Sequence, residues 1–152
     1  MPKATSPAGG ADLPFIDRTP CNCLALRQAA RHLTQVYDRH LAQEGLRSTQ
    51  YSILSVLGRL GAQPIGRLAD IMVVERTALG RALRSLERDK LVAVGAGPDA
   101  RTRSVSLTAK GEARLKSAAV RWRRAQSEFE AAFGADAALA LRTSLHRVVE
   151  AA

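Results

Sequence analysis

Residues 64–108, PIGRLADIMVVERTALGRALRSLERDKLVAVGAGPDARTRSVSLT, constrain the chain more than any other stretch. In the middle, Thr77, Arg81, Arg84 and Arg88 recur at three- and four-residue steps and so share one face of a helix. Leu79, Leu83 and Leu86 fall on the opposite face. A helix with leucines packed inward and arginines outward suits being held rigidly against something anionic, and double-stranded DNA is the leading candidate. The bland alternative is that a row of arginines on one helix face is simply a solvated surface.

The flanking residues decide between these readings. Pro64 opens a short helical pattern with Ile65, Leu68, Ala69 and Met72 on its buried face, and the arginine-bearing helix follows, roughly Glu75 to Lys90. Glu75 stands in the first turn, where negative charge complements the helix dipole. After it, residues 91–94 and 104–107 read as two strands, the second with period-two alternation. The GAGPDARTR segment between them carries two glycines and a proline, so the chain reverses there. Two strands alone are marginal in water, so the hairpin leans on the neighbouring helices as a wing. The order is helix, turn, helix, wing.

Length and composition bound the rest. A chain of 152 residues, 46% of them apolar, can bury one core. The net charge of +9 comes mostly from arginine, whose planar fork suits phosphate and guanine edges, although basic balance alone fits an anionic membrane surface equally well. Cys21 and Cys23 stand one residue apart, poorly placed to bridge each other, and suggest no disulfide framework. The N-terminal segment lacks the apolar run of a signal peptide, and no stretch reaches the ~18 apolar residues of a membrane span. The expectation is a cytoplasmic protein. No nucleophile elbow, phosphate-binding glycine loop or metalloprotease motif appears, so no enzyme and no cofactor are expected. The histidines His32, His40 and His146 form no four-ligand cluster with the cysteines, so no metal site is expected.

Taken in order, residues 1–18 are rich in Pro, Gly, Ala and Ser and read as a mobile arm. Thr19 and Pro20 suit the cap and first position of a helix in which Leu26, Ala30, Leu33, Tyr37 and Leu41 form the apolar stripe, ending at Gly45. Ser48 suits the cap of a second helix, with Ile53, Leu54, Leu57 and Leu60 as its stripe before Gly61. Beyond the wing, Thr108 suits the cap of a long fifth helix. There Leu115, Ala118, Trp122, Ala125, Phe129 and Ala132 make a heptad-like seam over about 20 residues. A sixth helix follows Gly134, with Leu141, Leu145 and Val148 at helical spacing. Such a seam fits packing against a second subunit or within one chain, and spacing alone does not separate the two. A homodimer is favoured because one recognition helix rarely suffices for a specific site.

At the wing a family resemblance becomes specific. Asp99-Ala100-Arg101-Thr102-Arg103-Ser104-Val105-Ser106-Leu107-Thr108 resembles the D-x-R-x-x-x-V/L-x-L-T signature of the MarR family of transcription regulators. Glu75 to Leu79 and Leu86 to Arg88 resemble that family's recognition helix, and Ala109-Lys110-Gly111 its usual continuation; with the helix order, the resemblance covers about residues 20–150. Asp89-Lys90-Leu91 departs from the pattern, because the family commonly has a glycine before the leucine. The resemblance implies a mainly α fold with a small β-hairpin wing: a winged helix-turn-helix of six helices, dimeric. DNA would be read by residues 46–108, while 19–45 and 109–152 form the dimerisation helices. It further implies that Arg76, Thr77, Arg81 and Arg84 enter the major groove of a pseudo-palindromic operator, with Arg101 and Arg103 of the wing at the minor groove. Asp99 would orient Arg101 through an ion pair. Ser48, Thr49 and Gln50 are candidates for phosphate contacts at a helix N-terminus.

Control of binding has two readings. In the family's commoner arrangement a small aromatic or phenolic acid releases a repressor, and Arg27, Arg31, His32, Tyr37, His40 and Tyr51 are candidate contacts. Each of them is also an ordinary residue for an amphipathic helix. The alternative is oxidation of Cys23, whose place early in the first helix is similar to the organic-hydroperoxide-sensing branch; Tyr37 matches one tyrosine of that branch, whereas Ser48 stands where a second is expected. A buried apolar role for Cys23 is the competing explanation. Outside this class, a sequence-indifferent architectural DNA-binding protein shares the charge and the fold but shows little preference for one duplex.

Overall fold

A computed structural model describes residues 20–99 and 101–151. The arm read over 1–18 and the Thr19 cap lie outside the described residues. Contacts divide the chain into two units, residues 1–35 and 36–152.

The described part of the first unit is the N-terminal portion of helix α1 (Asn22–Leu41). The helix starts later than the Thr19-Pro20 pattern suggests. Pro20 is not helical, and Cys21 takes the capping place: its sulfur accepts from Leu24 N at 3.4 Å and its carbonyl from Ala25 N at 3.1 Å.

In the second unit α1 ends at Leu41, a 3-10 turn covers Ala42–Glu44, and Gly45 adopts φ 68°. That left-handed conformation is why a glycine closes the helix. Helix α2 (Ser48–Leu60) has Ser48 as its first residue, and Arg47 stands in the capping place expected of Ser48. The Ser48 N–H donates to Asp38 Oδ1 at 2.6 Å, while Gln50 Oε1 accepts from Arg47 N at 2.9 Å. Side chains other than Ser48 therefore satisfy the helix start.

Pro64 stands at the cap of the third helix and belongs to a strand as well. Gln63 and Pro64 form a short strand, β1 (Gln63–Pro64), which pairs antiparallel with Val105 and Ser104, and only then does α3 (Ile65–Met72) begin. A proline lacks the N–H to serve two neighbours, so this edge position accommodates it. Helix α4 (Arg76–Arg88) follows, then β2 (Val92–Ala96), β3 (Arg103–Leu107), α5 (Ala109–Phe133) and α6 (Ala135–Glu150). The wing is thus the outer part of a three-stranded antiparallel sheet in the order β1-β3-β2. Val105, on the central strand, is fully buried.

One apolar core joins these elements. Leu41, Leu46, Ile53, Leu54 and Leu57 meet Leu68 and Ala69 of α3, Leu79, Leu83 and Leu86 of α4, and Leu91, Val92 and Val105 of the sheet. The α5 seam contributes to this core from within the chain: Ala118 is buried in it, and Leu115 and Trp122 pack against it. The apolar side chains left exposed on the C-terminal helices stand elsewhere, at Val120 and Phe133 of α5 and Leu139, Val148 and Val149 of α6.

Candidate nucleic-acid interface

The leucine face of α4 fixes where its arginines go. With Leu79, Leu83 and Leu86 buried, Arg76, Thr77, Arg81 and Arg84 are exposed together. Arg88 is also exposed, but it is turned to its own helix end, donating to Ser85 Oγ and to Asp89 Oδ1 at 3.2 Å each.

The sheet brings the wing to the start of α4. Because β1 pairs with β3, the residue before α3 lies beside Ser104 at the base of the wing. A cleft of about 460 Å³ opens there, and Arg67 and Asp70 of α3, Arg76 of α4, and Arg101 and Arg103 of the wing line it. Four guanidinium groups against one carboxylate make a strongly cationic groove. Arg67 is absent from the set identified by sequence. Its sequence signal is its place on the polar side of α3, next to buried Leu68, but only the β1–β3 pairing turns that side toward the wing.

The wing tip is braced by its own backbone. Asp99 Oδ1 accepts from Arg101 N at 2.9 Å, Thr102 N donates to Asp99 O at 3.2 Å, and Gly97 N donates to Thr102 O at 2.8 Å. Asp99 therefore orients Arg101 through an Asx-type turn, and the side-chain ion pair expected between them is not among the ion pairs of the described residues. The short side chain of Asp99 reaches the N–H two residues on more readily than the long guanidinium folds back, so Arg101 is left exposed. A Cβ at Gly97 would stand 2.9 Å from the Thr102 carbonyl oxygen, which explains the glycine.

At the N-terminus of α2, Thr49 is exposed, whereas Ser48 commits its N–H to Asp38. Gln50 commits both ends of its amide, to Arg47 N at 2.9 Å and to Ser85 Oγ at 3.2 Å. An external phosphate here would meet a helix end already facing the chain's own carboxylate.

The residues considered for effector binding fall in both units. Arg27, Arg31 and His32 are exposed on the first part of α1, as is Cys23 in its first turn. In the second unit Tyr37 donates to Gln126 Oε1, and Gln126 in turn donates to Glu130 at 2.7 Å. His40 Nε2 lies 2.7 Å from Glu128 Oε2. Tyr51 is buried and stacks on Trp122 with ring centroids 6.2 Å apart. Burial raises the phenol pKa of both tyrosines, and Glu130 raises that of Tyr37 further. The hydrogen bonds from Gln126 and Arg142 hold the Glu130 carboxyl below its ordinary value. Among the described residues, no group of three His, Cys, Asp or Glu side chains is arranged to hold a metal ion, and no helix is long and apolar enough to cross a membrane.

The MarR family model matches residues 46–101, which span α2 to the wing. The fold also superposes on the Mycobacterium tuberculosis transcriptional regulator MosR in complex with DNA, with a TM-score of 0.78 and 41% sequence identity over 86% of this chain and 95% of that one. The chain belongs to the MarR family. It is a MarR-family transcriptional regulator with a mainly helical winged helix-turn-helix fold. An Escherichia coli MarR mutant complexed with operator DNA shares that fold, with a TM-score of 0.76 at 21% identity over 91% of this chain and 99% of that one. The HTH-type transcriptional regulator MhqR of Bacillus subtilis is 26% identical over 89 residues, which are 58% of this chain and 61% of MhqR. The family's glycine position is left-handed here, and Lys90 adopts it at φ 59°.

Proposed function

We propose that this MarR-family chain is a sequence-specific repressor that binds a pseudo-palindromic DNA operator as a homodimer. The observation that carries this reading is the convergence of Arg76 with Arg101 and Arg103 on one cleft, which gives the start of α4 and the wing a common cationic face. In this reading Arg76, Thr77, Arg81 and Arg84 enter the major groove, Arg101 and Arg103 reach the minor groove, and Arg67 contacts phosphate. The DNA-bound state of MosR, the 41%-identical relative, supports DNA as the partner. The dimer is supported by Phe133, Leu139, Val148 and Val149, each half or more exposed in the single chain and close to its C-terminal end. Two copies would present α4 to successive major grooves about 34 Å apart.

The test is competition at fixed salt between a duplex that the protein selects from a random library and unselected duplex. A specific regulator prefers the former by at least ~1000-fold, whereas an architectural protein shows little preference. Arg101→Ala is expected to weaken binding and flatten the salt dependence by about one phosphate-equivalent. Unchanged affinity and slope remove Arg101 from the contact set.

For control, release by a small aromatic acid is one arrangement. Oxidation of Cys23 is favoured as a second reading by its exposure in the first turn of α1. In that step a hydroperoxide transfers one oxygen to the sulfur, giving a sulfenic acid and an alcohol. Release of operator by peroxide from wild type and not from Cys23→Ser supports it; equal release from both excludes the cysteine.

A further inference from the structure

Glu44 ends the 3-10 turn between α1 and α2, and one face of α5 grips it from three positions. The Glu44 carboxylate accepts from Ser117 Oγ at 2.8 Å and pairs with Arg121 Nε at 3.5 Å, while its backbone carbonyl accepts from Arg114 Nη1. Ser117 and Arg121 follow Arg114 at three and seven residues, so all three stand on one side of the helix. The Glu44 side chain is 19% exposed, so solvent screens this cluster less than a fully exposed pair.

The turn of α5 just before this grip holds the other end of α4. Thr108 Oγ1 donates to Lys90 O at 2.7 Å, Thr108 N to Leu91 O at 3.2 Å, and Lys110 Nζ to Asp89 O at 2.9 Å. Within about three and a half turns, from Thr108 to Arg121, α5 is fastened both to the α1–α2 junction and to the C-terminal end of the arginine-bearing helix. A helix held at two places sets the angle at which α4 is carried. Neither fastening touches the cationic face.

We propose that Glu44 is a positioning residue for operator spacing: its hold on Arg114, Ser117 and Arg121 fixes how α5 presents α4, and so fixes the separation of the two reading helices in the dimer. This rests on the dimeric, DNA-reading function proposed above. Loosening the hold leaves the contacts each α4 makes with DNA intact and loosens the distance between the two copies. The affected quantity is discrimination between operators of different spacing. Affinity for DNA in general is unaffected.

The experiment uses the full chain and the duplex it selects from a random library, together with versions whose central spacer is one base pair longer or shorter. Glu44→Gln keeps the size of the side chain and removes its charge; Ser117→Ala removes one hydroxyl from an exposed position and leaves the helix propensity high. Both are expected to reduce discrimination between the selected and altered spacings by threefold to tenfold, on the order of what side-chain networks contribute to coupling. Affinity for unselected duplex and the salt slope stay at the wild-type values. Unchanged spacing discrimination in both variants overturns the proposal, as does an equal loss of affinity on every duplex. A wild-type chain that selects no duplex overturns the proposed function and this inference with it. A wild type that selects a site, with variants that keep its spacing preference, overturns this inference alone.

Discussion

Gly111 is the third residue after the Thr108 cap of α5, and by helix propensity alone alanine should be better there by about 1 kcal/mol. The surroundings reverse the sign. A Cβ on Gly111 would overlap the carbonyl oxygen of Leu91, stand 2.9 Å from its carbon and 3.3 Å from Leu107 Cδ2. The obstacle is backbone, which yields only if the start of α5 moves away from the end of α4. That movement strains three hydrogen bonds: Thr108 N to Leu91 O, Thr108 Oγ1 to Lys90 O, and Lys110 Nζ to Asp89 O. Each is worth about 0.5–1.5 kcal/mol, and overpacking by one methyl costs about 1–3 kcal/mol. Even after the propensity gain, Gly111→Ala is expected to lose about 2–4 kcal/mol. For a chain of this size that lowers the melting temperature by on the order of 10 °C. The assay is a circular-dichroism melt of wild type, Gly111→Ala and Gly95→Ala at one protein concentration, because association itself raises the midpoint. Gly95 is the control: a Cβ there meets nothing within 4 Å, so its alanine variant should stay within about 0.5 kcal/mol of wild type. A Gly111→Ala variant that melts at or above wild type refutes the reasoning.

Lys90→Gly should stabilise the chain by about 0.5–1 kcal/mol, because relief of the left-handed strain at φ 59° exceeds the extra entropy a glycine loses on folding. A lower urea midpoint for that variant removes the strain argument. Stability should also fall in alkali. The folded-state phenols of Tyr37 and Tyr51 are raised above the ordinary value of about 10, so the stability they contribute is complete below that pH and is lost as pH rises past it. Urea midpoints taken from about pH 8 to about pH 11 should decline, and the decline should be smaller in Tyr37→Phe; an identical slope in the variant excludes Tyr37 as a contributor.

Much of the fold was legible because periodicity reports burial directly. The leucines of α4 and the alternation of β3 each had one physically sensible partner, the core, and they are found there. What escaped depended on non-local pairing. Gln63 and Pro64 form a strand only because Val105 and Ser104 lie opposite, and no local pattern marks a two-residue strand. Arg67 escaped for the same reason, since the wing residues Arg101 and Arg103 that make its side of α3 part of a cationic cleft come more than thirty residues further along the chain. Ser48 looked like a cap, but the residue that meets its N–H is Asp38, ten residues earlier on a different helix. The seam of α5 has the spacing of a subunit interface, yet Ala118 is buried in the chain's own core. Spacing identifies an apolar face without saying what covers it.

The two ends of α4 bear on how any signal reaches DNA. Val73, which caps the C-terminus of α3 ahead of α4, is β-branched and 67% exposed at φ 51°, and Lys90, just after α4, is at φ 59°. Neither residue type favours that conformation, which costs on the order of 1–3 kcal/mol at each site. It persists because hydrogen bonds close both turns: Val74 N to Ala69 O at 3.1 Å before the helix, and Lys90 N to Glu87 O and Leu91 N to Leu86 O at 2.9 Å after it. Side chains with this preference would relax the turns if the helix ends frayed readily. Leu79, Leu83 and Leu86 meanwhile hold the middle of α4 in the core. A helix anchored along its length by its leucines and closed at its C-terminal end moves as a body, with Arg76, Thr77, Arg81 and Arg84 in fixed relation to one another. Control of DNA binding is then expected to act on the placement of α4 through α5, and the pattern of side chains it presents stays the same. Glu44 acts on that placement without entering the cationic cleft.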